Sequence, residues 1–134
     1  MIGGATKLVA LLGQPVAESL SPRMQNAAFA ARGLDWAYVP LEVEPARLGA
    51  AVDGLVAGGY AGANVTIPHK QAVVELCDEA DGESINTLLF RAGRVLGFKP
   101  KPVRQPCDDA PLVDASTRAV HTARAVLSQG TVSR

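Results

Sequence analysis

The sequence predicts an α/β domain: a three-layer α/β/α arrangement around an open, mainly parallel sheet. Three observations carry that prediction. Short apolar runs alternate, over the first hundred residues, with stretches whose apolar positions recur three and four apart. The stretches between runs are about ten residues long, enough for a helix that crosses back over a sheet with the usual right hand. Hydrophobic residues make up 48% of the 134-residue chain and charged residues 19%, which supplies a packed core and rules out a charge-driven disordered chain.

The elements follow in order. Residues 7–13 are a continuous apolar run closed by Gly13-Gln14-Pro15, which reads as a buried strand. Ser21-Pro22 then offers an N-cap and a proline at the first helical position. Met24, Ala27, Ala28 and Ala31 recur at helical spacing, and Gly33 stops the helix. Residues 36–43 read as a second strand. Pro45 opens a second helix with Leu48, Val52, Leu55 and Val56 inward and Gly58-Gly59 at its end. Residues 60–67 predict a third strand and residues 69–80 a third helix. Residues 85–90 and 94–98, joined through Ala92-Gly93, predict a hairpin.

The texture changes at Lys99. Residues 99–111 hold four prolines, which remove ladder donors and fix φ, so an extended linker is expected there. A last helix, capped by Asp114 or Ser116, would turn Ala119, Val120, Ala123, Val126 and Leu127 to one side and stop at Gly130. The chain thus divides into a domain over residues 1–98 and an atypical tail of linker and helix over residues 99–134.

Charge and cysteine usage narrow the function. Thirteen basic and thirteen acidic side chains balance to zero with no basic run, so neither nucleic acid nor an anionic membrane surface is an expected partner. Cys77 and Cys107 form no Cys-x-x-Cys pair, and with only His69 and His121 besides, no metal site is expected. The apolar stretch from Leu8 to Leu12 is too short for a membrane span or the core of a signal peptide. A cytoplasmic protein with reduced thiols is the expectation.

Three segments place polar groups at predicted strand ends, the usual mouth of an α/β site. In Ser19-Leu20-Ser21-Pro22 two hydroxyls stand at a helix start, where unpaired N–H groups suit a carboxylate. In Asn64-Val65-Thr66-Ile67-Pro68-His69-Lys70, strand alternation brings two polar side chains to one face. Lys70 follows, and a lysine beside apolar walls can exchange a proton with a ligand near neutrality. In Ile85-Asn86-Thr87 an amide interrupts an apolar strand and must find a partner. Taken singly, each segment has a plainer reading: a helix cap and a turn, a solvated surface lysine, an amide paired with backbone.

Together and in this order, the segments strongly resemble the substrate-binding domain of shikimate dehydrogenase, from about Lys7 to Phe98. The resemblance rests on Gly13-Gln14-Pro15-Val16 with Ser19-Leu20-Ser21-Pro22, on Gly62-Ala63-Asn64-Val65-Thr66-Ile67-Pro68-His69-Lys70, and on Ile85-Asn86-Thr87-Leu88. It implies the NADPH-dependent reduction of 3-dehydroshikimate to shikimate in the aromatic pathway. By that likeness Ser19 and Ser21 hold the substrate carboxylate, and Thr66 and Asn86 bond ring hydroxyls with Asn64 shaping the same wall. Lys70 also binds substrate and is the catalytic lysine, giving a proton to the carbonyl oxygen as hydride arrives.

Three departures from that family pattern stand out. The family follows its hairpin with Gly-Phe-Asn-Thr-Asp-Gly, whose aspartate pairs with the lysine. This chain reads Gly97-Phe98-Lys99-Pro100-Lys101-Pro102, and a lysine in the aspartate's place would repel Lys70. The family carries NADP on a Rossmann domain with a glycine-rich loop, whereas no G-x-G-x-x-G occurs here and 36 residues follow Phe98. Sixteen positions separate Lys70 from Asn86, a connection shorter than the family's. The resemblance therefore implies a truncated or rearranged member with no recognisable cofactor site, which alone binds substrate without turnover. The alternative is a non-catalytic module that binds shikimate, quinate or an aminoshikimate, or that forms a homodimer through its uncovered face.

Overall fold

The computed structural model describes residues 1–99; the predicted last helix, and the predicted linker beyond Lys99, lie outside them. Six strands form one sheet: β1 (Lys7–Gly13), β2 (Trp36–Glu42), β3 (Gly62–Val65), β4 (Glu79–Ala80), β5 (Thr87–Arg91) and β6 (Arg94–Phe98). Their spatial order is β2-β1-β3-β5-β6-β4. β1 runs parallel to β2 and β3, and β4 parallel to β6, whereas β5 is antiparallel to both β3 and β6. Helices α1 (Ser21–Ala31) and α2 (Leu48–Ala57) make the two parallel crossovers. No helix among the described residues is long and apolar enough to cross a membrane.

The period of two in β1 divides the core between two faces. Val9 and Leu11 pack with Val16, Phe29 and Tyr38 beneath α1. Ala10 and Leu12 point the other way, into a larger cluster with Leu48, Val52 and Leu55 of α2 and with Val65, Val73, Ile85 and Leu88. This gives helix, sheet and helix in three layers. Pro45 opens a single 3-10 turn, Pro45–Arg47, before α2 proper, and the inward face of α2 is the expected one.

Helix α1 departs from the expected pattern. Ser21 is its first residue rather than its cap; Leu20 occupies the cap position and contributes no side-chain bond. The buried positions are Gln25 and Phe29, while Ala27 and Ala31 face solvent. Phe29 sets that rotation, because it tilts against Trp36 with ring centroids 5.6 Å apart. Asn26 accepts the Tyr38 N–H at 2.8 Å and donates to the Tyr38 carbonyl at 3.0 Å, which satisfies Tyr38 on the edge of β2 that no described strand covers.

The third helix predicted over residues 69–80 does not form. One 3-10 turn, Ala72–Leu76, is followed by extended chain at Cys77 and by β4. The competing interaction is with β6. Asp78 donates its N–H to the Val95 carbonyl at 2.8 Å and accepts the Val95 N–H on its carboxylate at 2.6 Å, so the segment is drawn out along the sheet edge. No full crossover then brings the chain back, and β5 enters the sheet antiparallel to β3. The strand predicted over 60–67 is shorter as well, running from Gly62 to Val65, and the hairpin strand starts at Thr87 rather than Ile85. The hairpin turn itself is as expected, with positive φ at Ala92 and Gly93.

Gly62 sits where β3 and β5 approach most closely, and a Cβ there would collide with the Leu88 carbonyl oxygen. Gly54, in contrast, lies on the solvent face of α2 with no atom near an added Cβ. Gly62→Ala should therefore lower the unfolding free energy by about 1–3 kcal/mol. Gly54→Ala should raise it by about 0.5–1 kcal/mol through helix propensity. Urea denaturation of both variants checks the contrast; equal effects would remove the steric account of the β3–β5 contact.

Candidate functional site

The site grows from two turns held against each other at the carboxyl ends of β1 and β3. Thr66 donates its N–H to the Leu12 carbonyl at 2.9 Å, and Gln14 donates to the Ile67 carbonyl at 3.1 Å, which continues the ladder one step past each strand. Both turns then pass through a cis X-Pro bond, at Gln14-Pro15 and Ile67-Pro68. Gly13 makes the approach possible, since a Cβ there would run into the Thr66 methyl group.

His69 fixes the second turn from inside. It is fully buried, and its Nε2–H donates to the Val43 carbonyl at 2.7 Å, which ties the turn to the end of β2. Its N–H also donates to the Thr66 carbonyl at 3.0 Å. The ring's Nδ1 is buried without a partner. His69 is therefore a clamp beneath the site and does not line it. Lys70 follows, half-buried, with its carbonyl accepting the Ile85 N–H at 2.8 Å. Asn86 comes next to that contact: it donates its N–H to Phe98 at 3.1 Å and accepts the Val65 N–H at 2.9 Å.

Thr66, Lys70 and Asn86 are thus bound through the backbone into one edge. Ser19 and Ser21 stand on the neighbouring turn, joined to that edge by the Gly13–Thr66 contact. All five side chains are half-buried. Among the described residues no side-chain bond joins the serine pair to the other three, and Lys70 forms no ion pair.

The start of α1 is rich in uncommitted donors. Ser19 Oγ accepts the Ser21 N–H at 3.2 Å, which leaves its own hydroxyl proton free to donate outward. Pro22 has no N–H, and Met24 donates to the Leu20 carbonyl at 3.1 Å. The Arg23 N–H and both serine hydroxyls are left as donors on the positive end of an 11-residue helix with no acidic residue in its first turn. That is chemistry for a carboxylate.

A second polar group, read from the sequence only in part, lies behind the site. Asn64 accepts from Tyr38 Oη at 3.0 Å and from Gln25 Nε2 at 3.4 Å. It donates to the Asn86 carbonyl at 3.3 Å and to Thr87 Oγ1 at 3.2 Å. Burial pushes the Tyr38 phenol well above its ordinary range, so it stays protonated and donates. The sequence singles out Asn64, and Thr87 only as the neighbour of Asn86, with no reason to choose Gln25 or Tyr38. Cys77 is not part of the site: burial first and Asp78 second push its thiol up, and it donates to the Val73 carbonyl at 3.4 Å.

The described residues do not fit a dinucleotide. The strand-to-helix turns are Gly13-Gln14-Pro15, Glu44-Pro45 and Ile67-Pro68, and none offers the run of glycine N–H groups that cradles a pyrophosphate.

Against known proteins, the family profile of the shikimate dehydrogenase substrate binding domain matches residues 11–87. A shikimate dehydrogenase (NADP(+)) of Methanothermobacter thermautotrophicus is 50% identical over 103 residues, covering 73% of this chain and 36% of that relative. The crystal structure of a shikimate dehydrogenase in complex with NADP+ is 41% identical with a TM-score of 0.71, over 73% of this chain and 36% of that one. The shikimate 5-dehydrogenase of Listeria monocytogenes, solved with shikimate and NAD, is 34% identical with a TM-score of 0.70, over 72% and 35%. The chain spans roughly a third of the length of the curated relatives it matches. With the profile covering more than half of its residues, the chain belongs to the shikimate dehydrogenase substrate-binding domain family.

Proposed function

We propose that this domain holds shikimate or 3-dehydroshikimate in the cytoplasm, at the joined carboxyl ends of β1 and β3. The observation that carries the reading is the set of three free donors at the start of α1, placed beside the Thr66–Lys70 turn by the Gly13–Thr66 contact. The substrate carboxylate lies on the hydroxyls of Ser19 and Ser21. Thr66 and Asn86 bond ring hydroxyls. Lys70 binds the ring oxygen at the reacting carbon and holds the proton that the family reaction, the NADP-linked interconversion of 3-dehydroshikimate and shikimate, gives to a carbonyl oxygen there.

Binding and turnover separate in this chain. Residues 100–134 contain a single glycine, Gly130, and the strand-to-helix turns of the described residues do not fit a dinucleotide. The chain by itself therefore binds substrate and does not reduce it.

Titrating shikimate into the 15N-labelled chain should move the backbone resonances of Ser19, Thr66, Lys70 and Asn86. Ser19→Ala combined with Ser21→Ala should weaken binding roughly 10- to 100-fold, the range for hydrogen bonds to a charged group. Shikimate methyl ester, which lacks the anion, should bind wild type and double variant alike. Unmoved resonances at millimolar shikimate would end the proposal. The second expectation concerns catalysis: NADPH should be oxidised in the presence of 3-dehydroshikimate no faster with the chain than without it. A rate above that blank would refute the separation of binding from turnover.

A further inference from the structure

The polar group behind the site has one consistent assignment of donors and acceptors. The Asn86 carbonyl can only accept, so the Asn64 amide must turn Nδ2 toward it. Asn64 Oδ1 then faces Tyr38 and Gln25, and both must donate. Tyr38 is 3% exposed and its hydroxyl stays protonated, which suits that role. Gln25, 7% exposed, satisfies it by turning Nε2 to Asn64 and leaving Oε1 buried without a partner. An orphaned acceptor is costly. It shows how firmly the rest of the group dictates direction.

The direction continues to Asn86. Thr87 Oγ1 receives an Asn64 Nδ2 proton at 3.2 Å, so its own hydroxyl proton is available to Asn86 Oδ1, 3.4 Å away. That last contact is the longest step and therefore the one to test. With Oδ1 engaged, the Asn86 amide is left with its Nδ2 end, which bonds no described residue.

We infer that Tyr38, Asn64 and Thr87 form a positioning relay that fixes the Asn86 amide with its donor end toward a ligand, so that Asn86 bonds ligand oxygens as a donor. A flipped amide would offer an acceptor instead and would reject a carbonyl or an already-donated hydroxyl. The inference rests on the reading that Asn86 touches the substrate, and it adds three residues that act through Asn86 without touching the substrate themselves. Each member has a place in the fold that matches its task. Tyr38 lies in β2, Asn64 in β3 and Thr87 at the start of β5; β3 and β5 pair directly, whereas β1 lies between β2 and β3, so the Tyr38 hydroxyl reaches Asn64 across β1.

The test uses the full 134-residue chain and two independent readouts. In the first, the shikimate Kd is measured by calorimetry for wild type, Thr87→Val, Thr87→Ser, Asn86→Ala and the Thr87→Val/Asn86→Ala pair. Valine keeps the shape of threonine in a strand and removes only the hydroxyl. Thr87→Val should raise Kd roughly three- to tenfold, the loss expected for one neutral hydrogen bond. Thr87→Ser should stay within about twofold of wild type, and Thr87→Val should add nothing once Asn86 is alanine. An equal loss with and without the Asn86 amide, or no loss at all, overturns the relay. Should Thr87→Val fail to fold, Tyr38→Phe takes its place at the far end, with a smaller rise in Kd that must also vanish beside Asn86→Ala.

The second readout needs no ligand. The Asn86 side-chain NH2 should give a restrained 15N order parameter in wild type, falling in Thr87→Val and returning in Thr87→Ser. An order parameter that Thr87→Val leaves unchanged overturns the relay even if shikimate binds. A wild-type chain that does not bind shikimate removes the substrate reading alone, since the amide measurement still decides the relay.

Discussion

Everything at the site depends on how closely the ends of β1 and β3 can lie. The Thr66 and Gln14 N–H groups each reach across to the opposite chain beyond the last ladder residue, and the missing side chain at Gly13 admits the Thr66 methyl group. A parallel pair normally diverges where its strands end, because each chain must leave for its own crossover. Here the divergence is delayed by one step. The serine turn and the Thr66–Lys70 turn therefore leave the sheet beside each other. Without that contact the two turns would belong to separate loops.

The apolar core and the polar group divide the work of holding this edge. On the α2 side, Leu12, Val43, Val65, Val73 and Ile85 pack around it, and His69 reaches through them to the Val43 carbonyl. On the α1 side, the place that a hydrophobic residue would fill in an ordinary helix is taken by Gln25, at the cost of one buried acceptor. Apolar packing resists compression but not rotation of an amide; a hydrogen-bond chain with one consistent direction resists both.

What could be seen in the sequence follows from the range of the forces involved. Strands β1, β2 and the hairpin were legible because their apolar runs end in glycine and proline, which act locally. The helix predicted over residues 69–80 was not, because Asp78 bonds both ways to Val95, seventeen positions away, and no window of the sequence contains that pairing. The phase of α1 misled for the same reason: alanine recurs at helical spacing, but Phe29 against Trp36 decides which side turns inward. The order of the motifs singles out Ser19, Ser21, Thr66, Lys70 and Asn86 as proposed ligand contacts. Tyr38 and Gln25 carry no motif, and Thr87 stands in one only as the neighbour of Asn86; their contacts with Asn64 arise only when three strands and a helix are assembled.

The start of α1 likewise forgoes local stability. A serine, threonine or aspartate at the cap position would bond the open N–H groups of the first turn and stabilise the helix by about 1 kcal/mol. Leu20 stands there instead, 63% exposed, with a proline two positions on that removes one N–H altogether. The helix is left uncapped except by the single bond from the Ser21 N–H to Ser19 Oγ. That one bond matters for polarity. An oxygen that accepts from the helix is pushed to donate with its own proton, so the same contact that partly caps α1 also turns Ser19 into a donor. An acidic cap would have filled the site with its own negative charge, and a neutral one would have spent the donors. Two serines on either side of an exposed leucine leave hydrogen-bond donors open at the start of the helix.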